Sequence, residues 1–153
     1  MATKQSEEGT RLAATRVMPH RGPVLIADVP DLEAVLRGCF LQDDVVYVTR
    51  YHDALAALTH RKYRLIVIGL HFDHSTMFEL LRVIREHDEY KKTPVVCIRA
   101  LPSRLTDEAR HGIRHAMLLM GAQAFLDFVP GPAVAERICT ELRRVTDEGV
   151  GGS

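Results

Sequence analysis

Five short, almost uninterrupted apolar runs recur along the chain, each followed by apolar residues at helical spacing, and no other feature constrains the fold as tightly. The runs are Val24–Ala27, Val45–Val48, Leu65–Ile68 ending at Gly69, Val95–Ile98 introduced by Pro94, and Ala122–Leu126. A strand without polar alternation is buried on both faces, which requires a parallel sheet covered by helices above and below. The intervening stripes supply those helices. They are Leu32, Val35, Leu36, Cys39 and Phe40; Ala54, Leu55 and Leu58; Met77, Leu80, Leu81 and Ile84; Ala109, Ile113, Ala116, Met117 and Met120; and Val134, Ile138, Leu142 and Val145. Right-handed crossovers then predict a three-layer α/β domain, a doubly wound five-stranded parallel sheet of order 2-1-3-4-5.

The local punctuation agrees with this reading. Asp53 is placed to cap the second helix and Ser75-Thr76 the third, while Gly121 stops the fourth. With 153 residues there is room for one ordinary domain. We expect a polar tail over residues 1–22, the domain over 23–146 and a flexible end over 147–153. Chains of this length leave no space for an attached output domain, so any output is expected to run through a partner.

Composition removes several function classes. Hydrophobic residues at 46% and charged residues at 26% belong to a folded globular chain. Twenty Lys plus Arg against twenty Asp plus Glu give zero net charge, which argues against direct nucleic-acid binding as the main activity. Zero charge also opposes self-association only weakly, which admits a homodimer. The N-terminal residues lack the apolar stretch of a signal peptide and the apolar runs are too short to span a bilayer, so the expectation is a cytoplasmic chain without a membrane partner. Cys39, Cys97 and Cys139 are odd in number and widely spaced; they are expected to be small core residues, with no disulfide scaffold and no zinc site.

In sequence order, VLIADVPDL, ALAAL, YRLIVIGLHF, FELLRVIRE, TPVVCIRA and GAQAFLDFVP mark the first strand through the fifth. From Pro23 to Val145 the chain thereby resembles the receiver domain of bacterial response regulators, the flavodoxin-like CheY fold. The resemblance implies a phospho-accepting aspartate at the end of strand 3, an acid pair after strand 1 for Mg²⁺, and a Ser/Thr and a Lys around the phosphoryl group. Position by position, this sequence carries Gly69 for the nucleophile, Asp28 and Val29 for the acid pair, Arg99 for the Ser/Thr, and Phe128 for the Lys, or Val129 if the loop slips by one. Glycine has no side chain to phosphorylate. The resemblance is therefore to a degenerate pseudo-receiver, with the segment Arg99–Gly121 longer than usual and a lengthened fourth helix or loop implied.

The expected role is a stand-alone, phosphorylation-independent interaction module of two-component-type signalling, with a kinase, an effector or a second copy as partner. No nucleophile–base pair or Gly-rich phosphate loop is present, so no enzymatic activity and no cofactor are expected. The alternative is a small-ligand or metal sensor built on the remodelled pocket. There, Arg99 either pairs with Asp28 or turns to solvent. His71, Asp73 and His74 are weak metal candidates without a supporting framework, and solvated loop residues are the plainer reading. His111 and His115 lie four apart on the fourth helix, where a polar face is the plainer reading. Met117, Leu118, Leu119 and Met120 exceed what a one-sided helix needs, so Met117, Leu118 and Met120, with Phe125 nearby, form the expected interaction surface.

Overall fold

The computed structural model describes residues 22–128 and 133–152. In it, β1 (Val24–Ala27), α1 (Glu33–Gly38), β2 (Val45–Val48), α2 (Tyr51–His60), β3 (Leu65–Gly69), α3 (Met77–Glu86), β4 (Val95–Arg99), α4 (Asp107–Leu119), β5 (Ala124–Asp127) and α5 (Val134–Gly152) follow one another. The strands are parallel in the order β2-β1-β3-β4-β5. Among the described residues, no helix is long and apolar enough to cross a membrane. The tail expected over residues 1–22 lies, as far as residue 21, outside the described residues, as does Val129.

Strand pleating divides the core in two. Leu25, Ile66, Ile68, Val95, Cys97 and Phe125 point toward α2, α3 and α4. Val24, Ile26, Val67, Val96 and Ile98 point the other way, toward α1 and α5. All four residues of β1, and the first four of β3 and of β4, are essentially inaccessible, as continuous apolar runs in a central parallel sheet require.

Several local expectations are corrected by the structure. β5 begins at Ala124 rather than Ala122, because the preceding residues close α4. Gly121 adopts φ +98°. Its N–H donates to the Leu118 carbonyl and that of Ala122 to the Met117 carbonyl, a two-bond helix stop that needs a left-handed residue. Asp53 does not cap α2, since the helix starts at Tyr51 and leaves Asp53 inside the first turn. The capping carboxylate comes from the β3–α3 loop, where Asp73 Oδ2 accepts from the Tyr51 N–H at 2.5 Å. Thr76 does stand at the N-cap of α3, but its side chain makes no capping bond, the hydroxyl donating instead to the Phe72 carbonyl at 3.3 Å. α5 runs past residue 147 as far as Gly152.

Cysteine chemistry departs furthest from expectation. Cys39 on the segment ending α1 and Cys139 on α5 form a disulfide across 100 residues of sequence, with Cα atoms 4.8 Å apart. Cys97 is the free core thiol, and burial pushes it up to about 12. Cys39 is a buried core residue and Cys139 packs against the same core, both as expected except that they are bonded to each other. The two helical stripes that carry Cys39 and Cys139 cover the same face of the sheet, and this brings together residues far apart in sequence.

Candidate functional site

In a doubly wound sheet the crevice forms at the carboxyl ends of the strands, where the connections to helices on opposite faces diverge. Here that edge carries Asp28 and Val29 after β1, Gly69 to His71 at the end of β3, Arg99 at the end of β4, and Asp127 and Phe128 at the end of β5.

Asp28 is 2% exposed. Its Oδ1 accepts the Val29 N–H at 2.7 Å, whereas Oδ2 is buried without a hydrogen-bond partner. Burial outweighs that one bond and pushes the carboxyl up to about 7. The side chain lies directly over Gly69. A Cβ placed on Gly69 would sit 2.0–2.2 Å from the Asp28 carboxylate atoms, far inside van der Waals contact. Gly69 therefore does more than omit a nucleophile, because the volume its side chain would need is already filled.

Arg99 does not reach Asp28. Its Nε donates to Asp127 Oδ1 at 2.7 Å and its Nη2 to Asp127 Oδ2 at 3.2 Å, a two-point pair. Nη1 holds Ser103 through the hydroxyl at 2.8 Å and the carbonyl at 3.0 Å. Of the two outcomes left open for Arg99, a pair with Asp28 or exposure to solvent, neither occurs, and the partner is Asp127. The physical reason is register: Arg99 and Asp127 are aligned neighbours on β4 and β5, whereas β3 separates Arg99 from β1. Arg110 approaches the same carboxylate from α4 at 3.7 Å.

The pair is nearly dry, with side chains 11% and 8% exposed. Removing one partner strands the other, so Arg99→Ala is expected to cost about 3 kcal/mol in urea unfolding. The double change Arg99→Met with Asp127→Leu should cost clearly less than Arg99→Ala alone. An additive double variant would show that the pair is not the source of the effect.

The β3–α3 loop holds the three histidine-cluster candidates, and they do not converge. Asp73 is occupied as the α2 cap, with Arg50 Nε 3.9 Å from Oδ1. The His74 side chain is 93% exposed. His71 is partly buried with Nε2 unpartnered, and burial together with the Arg99 charge lowers its basicity. Among the described residues, no three His, Cys, Asp or Glu side chains gather where they can hold a metal ion. Asp73, His74 and Ser75 all adopt positive φ, at 35°, 60° and 64°. Non-glycine residues pay for that conformation, so Ser75→Gly is expected to stabilise the domain by about 1 kcal/mol, read as a rise in urea midpoint.

Phe128 is 4% exposed and packs into the α1–α5 face of the core, so an apolar ring fills the position of the resemblance's lysine. The magnesium implied by the resemblance does not fit these residues. A hard dication needs several oxygen ligands. Asp28 supplies one carboxylate with Oδ1 already engaged by an amide, Val29 and Gly69 supply no side-chain oxygen, and Arg99 brings a positive charge to the same edge.

The expected interaction surface is also corrected. Met117 and Phe125 are fully buried between α4 and the sheet, where α4 must place its apolar stripe, and they cannot meet a partner. Met120 is partly buried against the same core. The exposed residues of the apolar run are Leu118 at 44% and Leu119 at 75%. A cleft of about 630 Å³ opens between α4, β5 and α5, lined by Arg114, Phe128, Thr140 and Glu141 among others, and neither leucine lines it.

The topology and this edge define a receiver-type α/β fold. The chain is similar in structure to the chemotaxis response regulator CheY4 of Vibrio cholerae, at 20% identity and TM-score 0.62 over 81% of this chain and 98% of that one. A response regulator from Thermotoga maritima matches at 16% identity and TM-score 0.62, covering 82% and 98%. A response regulator from Hahella chejuensis matches at 18% identity and TM-score 0.62, covering 84% and 94%. Neither a family model nor a curated protein sequence matches the chain.

Proposed function

We propose that the chain is a pseudo-receiver, a two-component-type signalling module that acts through protein–protein contacts without phosphorylation at the end of β3. One observation carries the reading: Asp28 occupies the space above Gly69 in which a phospho-accepting side chain would stand. The bidentate Arg99–Asp127 pair and the buried Phe128 support it, since each puts a fixed structural contact where the resemblance implies a side chain that touches the phosphoryl oxygens. Partners in this reading are a signalling kinase or effector, or a second copy. They meet the α4–β5–α5 side, where α4 exposes Leu118 and Leu119 and a cleft opens between α4, β5 and α5.

Incubation with acetyl phosphate and Mg²⁺ followed by intact-mass measurement tests the chemistry. The expected result is the unmodified mass. A single phosphoryl adduct on Asp28 or on the β3–α3 loop would overturn the reading.

A small-ligand sensor is the second reading, favoured by two buried polar atoms without partners at the same edge, Asp28 Oδ2 and His71 Nε2. Thermal melting across a panel of nucleotides and divalent metals separates the two. A saturable rise with one compound, lost in Asp28→Asn, would favour the sensor.

A further inference from the structure

We propose that the Cys39–Cys139 disulfide is an exchange site for a small-molecule thiol, with Cys139 as the sulfur attacked and Cys39 as the resolving thiol. The bond ties α5 to the end of α1 across the face of the sheet that both helices cover. Cys39 is 6% exposed, whereas Cys139 is only partly buried. Cys139 also lines a surface cleft of about 390 Å³ between α1 and α5. Apart from its charged residues and Cys139, the cleft is lined by Ala34, Val35, Gly38, Ala135 and Thr140, none larger than valine, so an incoming thiolate meets little obstruction. Glu136 and Arg143 on the same rim offer both signs of charge. That suits a zwitterionic peptide thiol, and the volume lies in the range of small-molecule sites.

The chemistry closes on these atoms. A thiolate attacks Cys139 Sγ, the bond to Cys39 breaks, and the electron pair leaves on the Cys39 sulfur, which takes up a proton. Cys39 Sγ lies 3.4 Å from the Val35 carbonyl, an acceptor for the thiol that is released. A second thiolate then attacks the mixed disulfide, leaving Cys139 reduced and the small molecule as its own disulfide. In the reverse direction, the Cys39 thiolate attacks the mixed disulfide and recloses the bond. Cys97, buried within the other half of the core, takes no part and serves as an internal control for folding.

The test uses the full folded chain in buffers of varied reduced-to-oxidised glutathione ratio, with acid quench, alkylation, intact mass and peptide mapping. Reducing buffers are expected to give two alkylated thiols, Cys39 and Cys139, with Cys97 untouched. Oxidising mixtures should return the closed Cys39–Cys139 bond, and intermediate ratios should trap a single glutathionyl adduct on Cys139. A disulfide that opens only after urea is added would overturn the proposal, as would alkylation of Cys97 in step with the other two, because opening would then require unfolding. A glutathionyl adduct mapped to Cys39 would overturn the assignment of the attacked sulfur. As a second arm, Cys39→Ser should trap roughly tenfold more adduct than Cys139→Ser, and equal trapping would count against it. Should either variant fail to fold, the alkylation series on the unaltered chain still decides.

Discussion

Gly69→Ala is expected to destabilise the domain by at least about 3 kcal/mol, a large effect for one methyl group. The added Cβ would stand 2.0 Å from Asp28 Oδ1 and 2.1 Å from Cγ, so the whole carboxylate must move rather than its tip alone. It has nowhere cheap to go, because Asp28 is itself 2% exposed. Replacing Gly69 by Asp, the residue that the receiver resemblance expects, should cost more still. The origin of the effect is tested by rescue: Asp28→Ala combined with Gly69→Ala should recover most of the loss, with a coupling of roughly 2 kcal/mol or more in a double-mutant cycle. If the two costs simply add, the space above Gly69 is not what Asp28 holds.

Asp28→Asn is expected to stabilise the domain at pH 8 and to flatten its pH dependence. Burial raises the carboxyl from its ordinary value of 3.8 to about 7. Between those values the unfolded chain has lost the proton and the folded chain still holds it, so stability falls as pH rises from about 4 to about 7. Above that window the full penalty of a buried, half-partnered carboxylate is present, up to about 4 kcal/mol. Below pH 4 the penalty vanishes. The amide keeps an oxygen for the Val29 N–H and never ionises, so the variant should gain up to about that amount at pH 8 and little at pH 4. Urea midpoints measured from pH 4 to 8 provide the check. A variant less stable than the unaltered chain at pH 8 would mean that Oδ2 has a cationic partner in solution.

Most of the fold was legible because it rests on short-range pattern. Val24–Ala27 and Leu65–Ile68 have no polar position to turn toward water, and a chain with several such runs has few ways to bury them. Helix starts were harder to read. Asp53 satisfies every local rule for a cap, yet Asp73 performs the task from another loop, a contact visible only after β3 and α2 are placed. The interaction surface failed for a related reason. Four consecutive apolar residues cannot all face one side of a helix, and the sequence alone does not say which side the sheet takes. The sheet took Met117 and left Leu118 and Leu119 outside.

At the site, the absence of the groups that the receiver resemblance implies was readable from single positions, since Gly69, Val29 and Phe128 carry no carboxylate or amine whatever surrounds them. What those positions do instead was not readable. That Arg99 pairs with Asp127, and that Asp28 fills the space above Gly69, are outcomes of strand order and register. The Cys39–Cys139 bond likewise depends on two helices packing on one face after 100 residues of intervening chain. Sequence by itself determined the alternating strands and helices, the sheet order and the absence of a side chain at Gly69, because these follow from residue type, local period and the handedness of the crossovers. Tertiary structure alone decided which charges meet, which carboxylate is buried and which thiols are joined. Those contacts form between residues whose separation along the chain carries no information about their separation in space.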